Sequence, residues 1–264
     1  MIDIHSHILM NVDDGAKTAE DSIAMAKQAV AEGIHTIVAT PHHMNGTYKN
    51  PKEKIMTDVV QLNELFQKEN IPLTVLAGQE IRLYGELLQD FQNGEILSLN
   101  NGNEYLLIEL PSSHVPMYTE RLLHEIQLEG LIPVIVHPER NKAFLEQPDR
   151  LYYLVNQGAL TQVTAASIAG YFGKSIQKFS HQLIEANLTH VIASDAHNTT
   201  SRGFKMTEAM ELVEKKFGYD MLMMLQENAD LLVQGQMVYK EVPQQIKKSF
   251  FHFFSKNKLF LKSK

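Results

Sequence analysis

The chain has 264 residues, of which 44% are apolar and 21% charged, a balance that suits a soluble globular protein and excludes disordered or fibrous classes. It contains no cysteine, so disulfide staples, thiolate metal sites and cysteine nucleophiles are all excluded. A net charge of −7 argues against a general nucleic-acid binder, and the opening Met-Ile-Asp-Ile-His has neither the basic n-region nor the apolar h-region of a targeting signal, so a cytoplasmic body is expected.

Short β-type runs alternate with longer amphipathic segments. Ile2–His5 reads as a strand and Thr18–Glu32 as a helix, with Thr18 and Asp21 at capping-box spacing. Further strands are expected at Thr36–Ala39, Leu73–Leu76, Tyr105–Glu109, Pro133–Val136, Thr161–Val163 and His190–Ala193. Helical patterns lie between them near Lys52–Asn70, Gly85–Gln92, Met117–Glu129, Asp149–Gln157, Lys174–Asn187 and Lys205–Lys216, several ending at a glycine such as Gly33, Gly130 or Gly158. Met221, Met223 and Met224, with Leu222 and Leu225, read as a buried helix.

Such alternation implies an α/β fold with a parallel sheet. Histidines and carboxylates fall at the carboxyl end of nearly every strand, which favours a closed, distorted seven-stranded β/α barrel over an open sheet, because a barrel builds its mouth from several strand ends at once. Residues 1–246 read as one domain, and 247–264 as a basic aromatic tail whose six charged residues are all lysines, interleaved with Phe250, Phe251, Phe253, Phe254 and Phe260. That mixture suits peripheral contact with an anionic membrane, or packing on the body.

His5 and His7 form an H-x-H pair closing the first strand, and side chains two apart on a strand share a face. Thr40-Pro41-His42-His43 closes the second strand, Gly78-Gln79-Glu80 the third, Ile108-Glu109 the fourth, Val136-His137-Pro138-Glu139-Arg140 the fifth and Ser194-Asp195-Ala196-His197 the last. Gathering so many ionisable groups at one mouth is costly unless metal ions compensate them. A nitrogen and oxygen shell without sulfur suits Mn, Fe or Zn, and the donors exceed the needs of one catalytic ion, so two or three ions are implied.

With Asp13-Asp14-Gly15 added, these motifs resemble, in order from residue 1 to about residue 235, the PHP (polymerase and histidinol phosphatase) superfamily, and within it the manganese-dependent protein-tyrosine phosphatases of bacterial capsule and exopolysaccharide loci. The resemblance implies a first ion on His5, His7, Glu80 and Asp195, a second on Glu80, Glu109 and His137, and a third on Asp14, His42 and His197. It implies that Arg140 and Arg202 contact phosphate, and that the partner is a tyrosine-phosphorylated protein, a bacterial tyrosine autokinase; for the proton donor, a metal-bound water and His42, beside its ligand role, are the candidates. Small-molecule phosphatase, amidohydrolase and idle kinase-binding scaffold are the rival readings. Asp13 is placed behind Asp14 as a ligand and His43 either behind the ligands or at the rim, while His35, His124, His181 and His190 read as structural. The loop Pro111–Tyr118 either flanks a tyrosyl ring or is an ordinary βα loop, and Gly170-Tyr-Phe-Gly173 is a turn with aromatic packing.

Overall fold

In the computed structural model, which describes residues 1–246, strand and helix alternate as expected. The strands are β1 (Ile2–Ser6), β2 (Thr36–Ala39), β3 (His42–His43), β4 (Thr74–Ala77), β5 (Glu80–Arg82), β6 (Tyr105–Glu109), β7 (Ile132–Val136), β8 (Leu160–Thr164) and β9 (Val191–Ala193). Helices α1 (Ala19–Ala31), α2 (Lys52–Lys68), α3 (Leu87–Gln92), α4 (Thr119–Leu128), α5 (Lys142–Glu146), α6 (Asp149–Asn156), α7 (Ala165–Ala169), α8 (Lys174–Glu185), α9 (Met206–Phe217) and α10 (Tyr219–Val233) lie between or after them. The basic aromatic tail, 247–264, lies outside the described residues. Among the described residues no helix is long and apolar enough to cross a membrane.

The strands pair in parallel, as the alternation requires, but in two sheets rather than one. One has the order β1-β2-β4 and the other β3-β5-β6-β7-β8-β9, with a single bridge, Ser6 to Ala196, between β1 and the segment after β9. The expected second and third strands each appear in two pieces, and the breaks have local causes. Pro41 offers no N–H to a ladder. Gly78 packs so tightly on β2 that a Cβ there would lie 2.7 Å from Val38 Cγ1. Backbone bonds still cross the break, from Gly78 N–H to the Ala39 carbonyl at 2.9 Å and from Glu80 N–H to that of Pro41 at 3.1 Å.

Period-two alternation sorts the strand residues between two apolar cores. Ile37, Ala39, Leu106, Ile108, Ile135 and Ile192 join the helices in one core. Val38, Tyr105, Leu107, Val134, Val136, Val191 and Ala193 form the other, closed by Ala229 and Leu232 of α10. Counting two residues onward along this second face leads from Leu107 to Glu109, from Leu160 to Gln162 and from Ala193 to Asp195. The sequence therefore stacks polar and ionisable groups directly on an apolar floor. The methionine segment is α10, with Leu222 and Leu225 buried, but Met223 is 39% exposed because it falls on the helix's outer side.

The first loop is fixed from both ends. Thr18 caps α1 by accepting from Asp21 N–H at 3.2 Å while Asp21 accepts from Thr18 N–H at 3.1 Å, the expected capping box. Just before it, a Cβ on Gly15 would stand 2.0 Å from the His7 carbonyl oxygen. Since that obstacle is backbone, Gly15→Ala is expected to destabilise the fold by roughly 1–3 kcal/mol. Urea denaturation measures this, and an unchanged midpoint would show that the loop yields without cost.

Candidate metal centre

Imidazole and carboxylate groups from six strand ends converge over the apolar floor. β1 carries an irregularity in its pairing between Asp3 and Ser6. Buried Asp3 accepts from the Ser194 N–H at 2.9 Å and from its hydroxyl at 2.5 Å, fastening β1 to the end of β9, and burial pushes this carboxyl up to about 6 against those hydrogen bonds. His5 and His7 follow, both fully buried, with Nε2 atoms 3.3 Å apart. His5 Nε2 is 3.5 Å from Glu80 Oε2 and 3.5 Å from Asp195 Oδ1, while His7 Nε2 is 3.4 and 3.3 Å from the same two oxygens. Four ligands about 2.1 Å from a tetrahedral ion stand about 3.4 Å from one another. His5, His7 and Glu80 meet this spacing and could hold one cation, with Asp195 close to both histidines.

The groups behind these histidines fix which nitrogen faces inward. His5 Nδ1 pairs with Gln162 Oε1 at 2.9 Å, His7 Nδ1 with Asp13 Oδ2 at 2.6 Å and His197 Nδ1 with the Asp195 carbonyl at 2.9 Å. When each Nδ1 donates to its oxygen, the opposite Nε2 is left as a lone pair pointing into the cluster. The backbone shows the same focus: His137 and Asp195 have φ of 37° and 52°, a left-handed conformation that costs non-glycine residues on the order of 1–3 kcal/mol.

Two further sets adjoin the first. His7, Asp14, His42 and His197 form one, with Asp14 Oδ1 at 3.3 Å from His42 Nε2 and 3.4 Å from His197 Nε2. His42, Glu80 and Glu109 form the other, and His137 Nε2 reaches Glu80 Oε1 at 2.7 Å. His42 Nδ1 and Glu80 Oε2 face each other at 2.7 Å, yet neither atom has a hydrogen-bond partner, and His197 Nε2 is buried and unpartnered as well. Buried, unpartnered nitrogen and oxygen atoms at such spacing are donors that a cation could engage. The residues fit divalent ions.

The model of the capsular polysaccharide synthesis CpsB/CapC family matches residues 1–234. The chain belongs to that family. It is 52% identical to the tyrosine-protein phosphatase YwqE of Bacillus subtilis, over 96% of this chain and 100% of the relative. It is 35% identical to the tyrosine-protein phosphatase CpsB of Streptococcus pneumoniae, over 83% of this chain and 91% of the relative. Among solved structures, that of YwqE, described together with CpsB as a metal-dependent tyrosine phosphatase, superposes with a TM-score of 0.92 at 52% identity, covering 94% of this chain and 100% of that one.

In this CpsB/CapC chain the charges are strongly interdependent. Burial alone would raise the Glu80 carboxyl, but His42 and His5 hold it well below its ordinary range. Asp195 is held low against burial chiefly by Arg140, whose Nη2 donates to Asp195 Oδ2 at 2.5 Å. His42 is pushed up to about 10 because Glu80 and Asp14 outweigh its burial. His137 and His197 go the other way, each down to about 4, through burial combined with Arg140 and His7 respectively. Glu109 is raised by burial and by Glu80, with Arg82 Nε opposing from 2.9 Å.

All nine residues expected as ligands are thus brought together, with Arg140 and Arg202 beside them. Arg202 Nη1 lies 3.2 Å from Asp14 Oδ2 and its Nη2 lies 3.4 Å from Asp195 Oδ2. His43 is fully buried rather than at the rim and pairs with the Asn50 carbonyl at 2.9 Å, and His190 accepts from Thr161 N–H at 3.0 Å, a structural role. His181 lies against the Ile168 carbonyl and Lys216. Two contributors lay outside the expected set, Gln162 and Arg82. Arg82 lies two residues after Glu80 on β5, whereas Gln162 has no expected site residue on its strand. Asp13→Asn should weaken binding of Mn by about 10–100-fold, since a neutral amide polarises the His7 imidazole less and has one acceptor oxygen where Asp13 uses two. Competition against a chromophoric chelator measures it, and unchanged affinity would remove Asp13 from this role.

Proposed function

We propose that this CpsB/CapC chain is a metal-dependent phosphatase that hydrolyses phosphotyrosine in proteins. The observation that carries the reading is at Arg140. Its Nε is buried without a hydrogen-bond partner, and the side chain lines a cavity of about 270 Å³ that also exposes His42, Glu109, His137, Asp195 and Arg202. A buried donor of fixed planar geometry, next to clustered metal-ligand groups, matches a phosphoryl oxygen. The activity named for YwqE and CpsB supports the same conclusion.

The proposed ligand sets are His5, His7, Glu80 and Asp195 for one ion, Glu80, Glu109 and His137 for a second, and Asp14, His42 and His197 for a third. Two or three manganese ions suit these donors, with iron or zinc as alternatives. Bound there, the ions supply a water of lowered pKa and neutralise phosphoryl charge. The strand order, with β3 and β5 prolonging β2 and β4, supports a distorted seven-stranded barrel as the scaffold.

The chain's own groups do the rest. Arg140 and Arg202 bind the equatorial phosphoryl oxygens and stabilise the charge that builds there. Leu110, Val136, Pro138 and Phe144 give the cavity an apolar wall against which an aromatic ring can lie. From the loop Pro111–Tyr118 it is Ser112 that lines this cavity, held there through the Asn141 side chain, which donates to the Pro111 carbonyl at 2.7 Å. Tyrosine, with a pKa of ~10, leaves as a fair phenolate, so little is demanded of a general acid. The family's role in capsule synthesis directs the proposal to a phosphotyrosyl substrate on a bacterial tyrosine autokinase.

Metal content and turnover measured on the same samples test the reading. Chelated protein should be inactive and recover with Mn. Glu80→Ala and His137→Ala should lose both metal and activity. Arg140→Ala and Arg202→Ala should keep metal and lose about 10²-fold in kcat, whereas His181→Ala should match the unaltered chain. A phosphotyrosyl peptide should be preferred over histidinol phosphate and nucleotides. Full turnover without metal, or preference for a small-molecule ester, would overturn the proposal.

A further inference from the structure

Arg140 is held by more than its carboxylate partner. The Phe172 ring lies under its guanidinium, with Cζ 5.5 Å from the ring centroid, inside the ~6 Å reach of a cation–π contact. Phe172 is half-buried and belongs to neither apolar core. Its place is thus at the side of the site rather than in either core.

The turn that presents Phe172 is built for this position. Gly170 and Gly173 have φ of 92° and 93°, a conformation that side-chain-bearing residues rarely adopt, and Gly173 N–H closes the turn on the Gly170 carbonyl at 3.0 Å. On one side the turn is tied to the arginine itself. Glu139, the residue before Arg140, is fully buried and its Oε1 accepts from Thr164 N–H at 3.1 Å and from the Ser167 hydroxyl at 2.6 Å, which fixes α7 against the Pro138–Arg140 turn. On the other side Tyr171 donates its hydroxyl to Glu208 at 3.0 Å, while Lys205 Nζ lies 4.5 Å over its ring. The turn is thus clamped between the segments that carry Arg140 and Arg202.

We infer that Phe172 is a positioning residue, whose ring face holds the Arg140 guanidinium in the plane that aims its unpartnered Nε at a phosphoryl oxygen. With Nη2 committed to Asp195 and one face committed to Phe172, the guanidinium keeps a single orientation and Nε stays available. The inference rests on the phosphate-binding role proposed above for Arg140. It requires an aromatic face, not merely bulk, at position 172.

The test uses the metal-loaded full chain and four variants: Phe172→Leu, Phe172→Met, Phe172→Tyr and Phe172→Trp. For each, metal content, kcat and KM on a phosphotyrosyl peptide, and inhibition by inorganic phosphate are measured. The Leu and Met variants should retain metal but lose roughly three- to thirtyfold in kcat and in phosphate affinity together, the range a cation–π contact spans. Tyr and Trp should restore both. In an Arg140→Ala background, Phe172→Leu should have no further effect. Kinetics within twofold of the unaltered chain for Leu and Met, equal losses for Leu and Tyr, or a full Phe172→Leu effect without Arg140 would each overturn the inference. Phosphate affinity that depends on the aromatic in a chain that does not hydrolyse phosphotyrosine would sink the proposed activity and leave the positioning role standing.

Discussion

Everything at the functional end of this fold depends on burying carboxylates against imidazoles at strand ends. Glu80, His5 and His7 are fully buried, Asp195 nearly so, and the two Nε2 atoms stand 3.3–3.5 Å from each other and from the Glu80 and Asp195 oxygens over an apolar floor. Such a cluster, taken out of water, is unstable unless each charge is compensated and each lone pair has a partner. The strained backbones of His137 and Asp195, the tight approach of Gly15 to His7 and the tie from Asp3 to Ser194 all serve to bring these atoms into one volume. Stability of the strand ends and competence of the site are therefore the same problem.

Asp195 joins the two halves of the chemistry. Its Oδ1 faces His5 and His7, and its Oδ2 receives Arg140 and, at longer range, Arg202. One carboxylate thus belongs to the proposed ligand set while orienting the guanidinium groups beside it. Glu80 has the corresponding bridging position on the other side, with Oε2 towards His5, His7 and His42 and Oε1 towards His137. Substitution of either carboxylate disturbs groups on both sides of the cluster, so its effect is not expected to add to that of a neighbouring ligand.

Much of this was legible in the sequence because strand parity is a strict rule. The H-x-H pair, Glu80, Glu109, His137, Asp195 and His197 each follow an apolar run, and a residue that ends such a run in a parallel α/β fold faces the mouth. Asp14 and Arg202 were reached only through family resemblance, since both lie in loops where no periodicity applies. The split of the expected single sheet into two was hidden because Thr40-Pro41 and Gly78-Gln79 look like strand ends, whereas the chain resumes pairing at His42 and Glu80. Met223 faced outward because a short apolar run does not reveal which side of α10 is covered. Gln162 and Arg82 went unread for a different reason: a polar residue behind or beside a ligand carries no motif of its own, and its role appears only when the distance to His5 or Glu109 is known.

Anomalous diffraction from crystals of the full chain loaded with manganese tests the central claim most directly. A manganese peak is expected about 2.2 Å from each of His5 Nε2, His7 Nε2, a Glu80 oxygen and an Asp195 oxygen, with further peaks within the same reach of His137 and of Asp14. Peaks at other residues, or an empty cluster in a preparation that still hydrolyses phosphotyrosine, would contradict it.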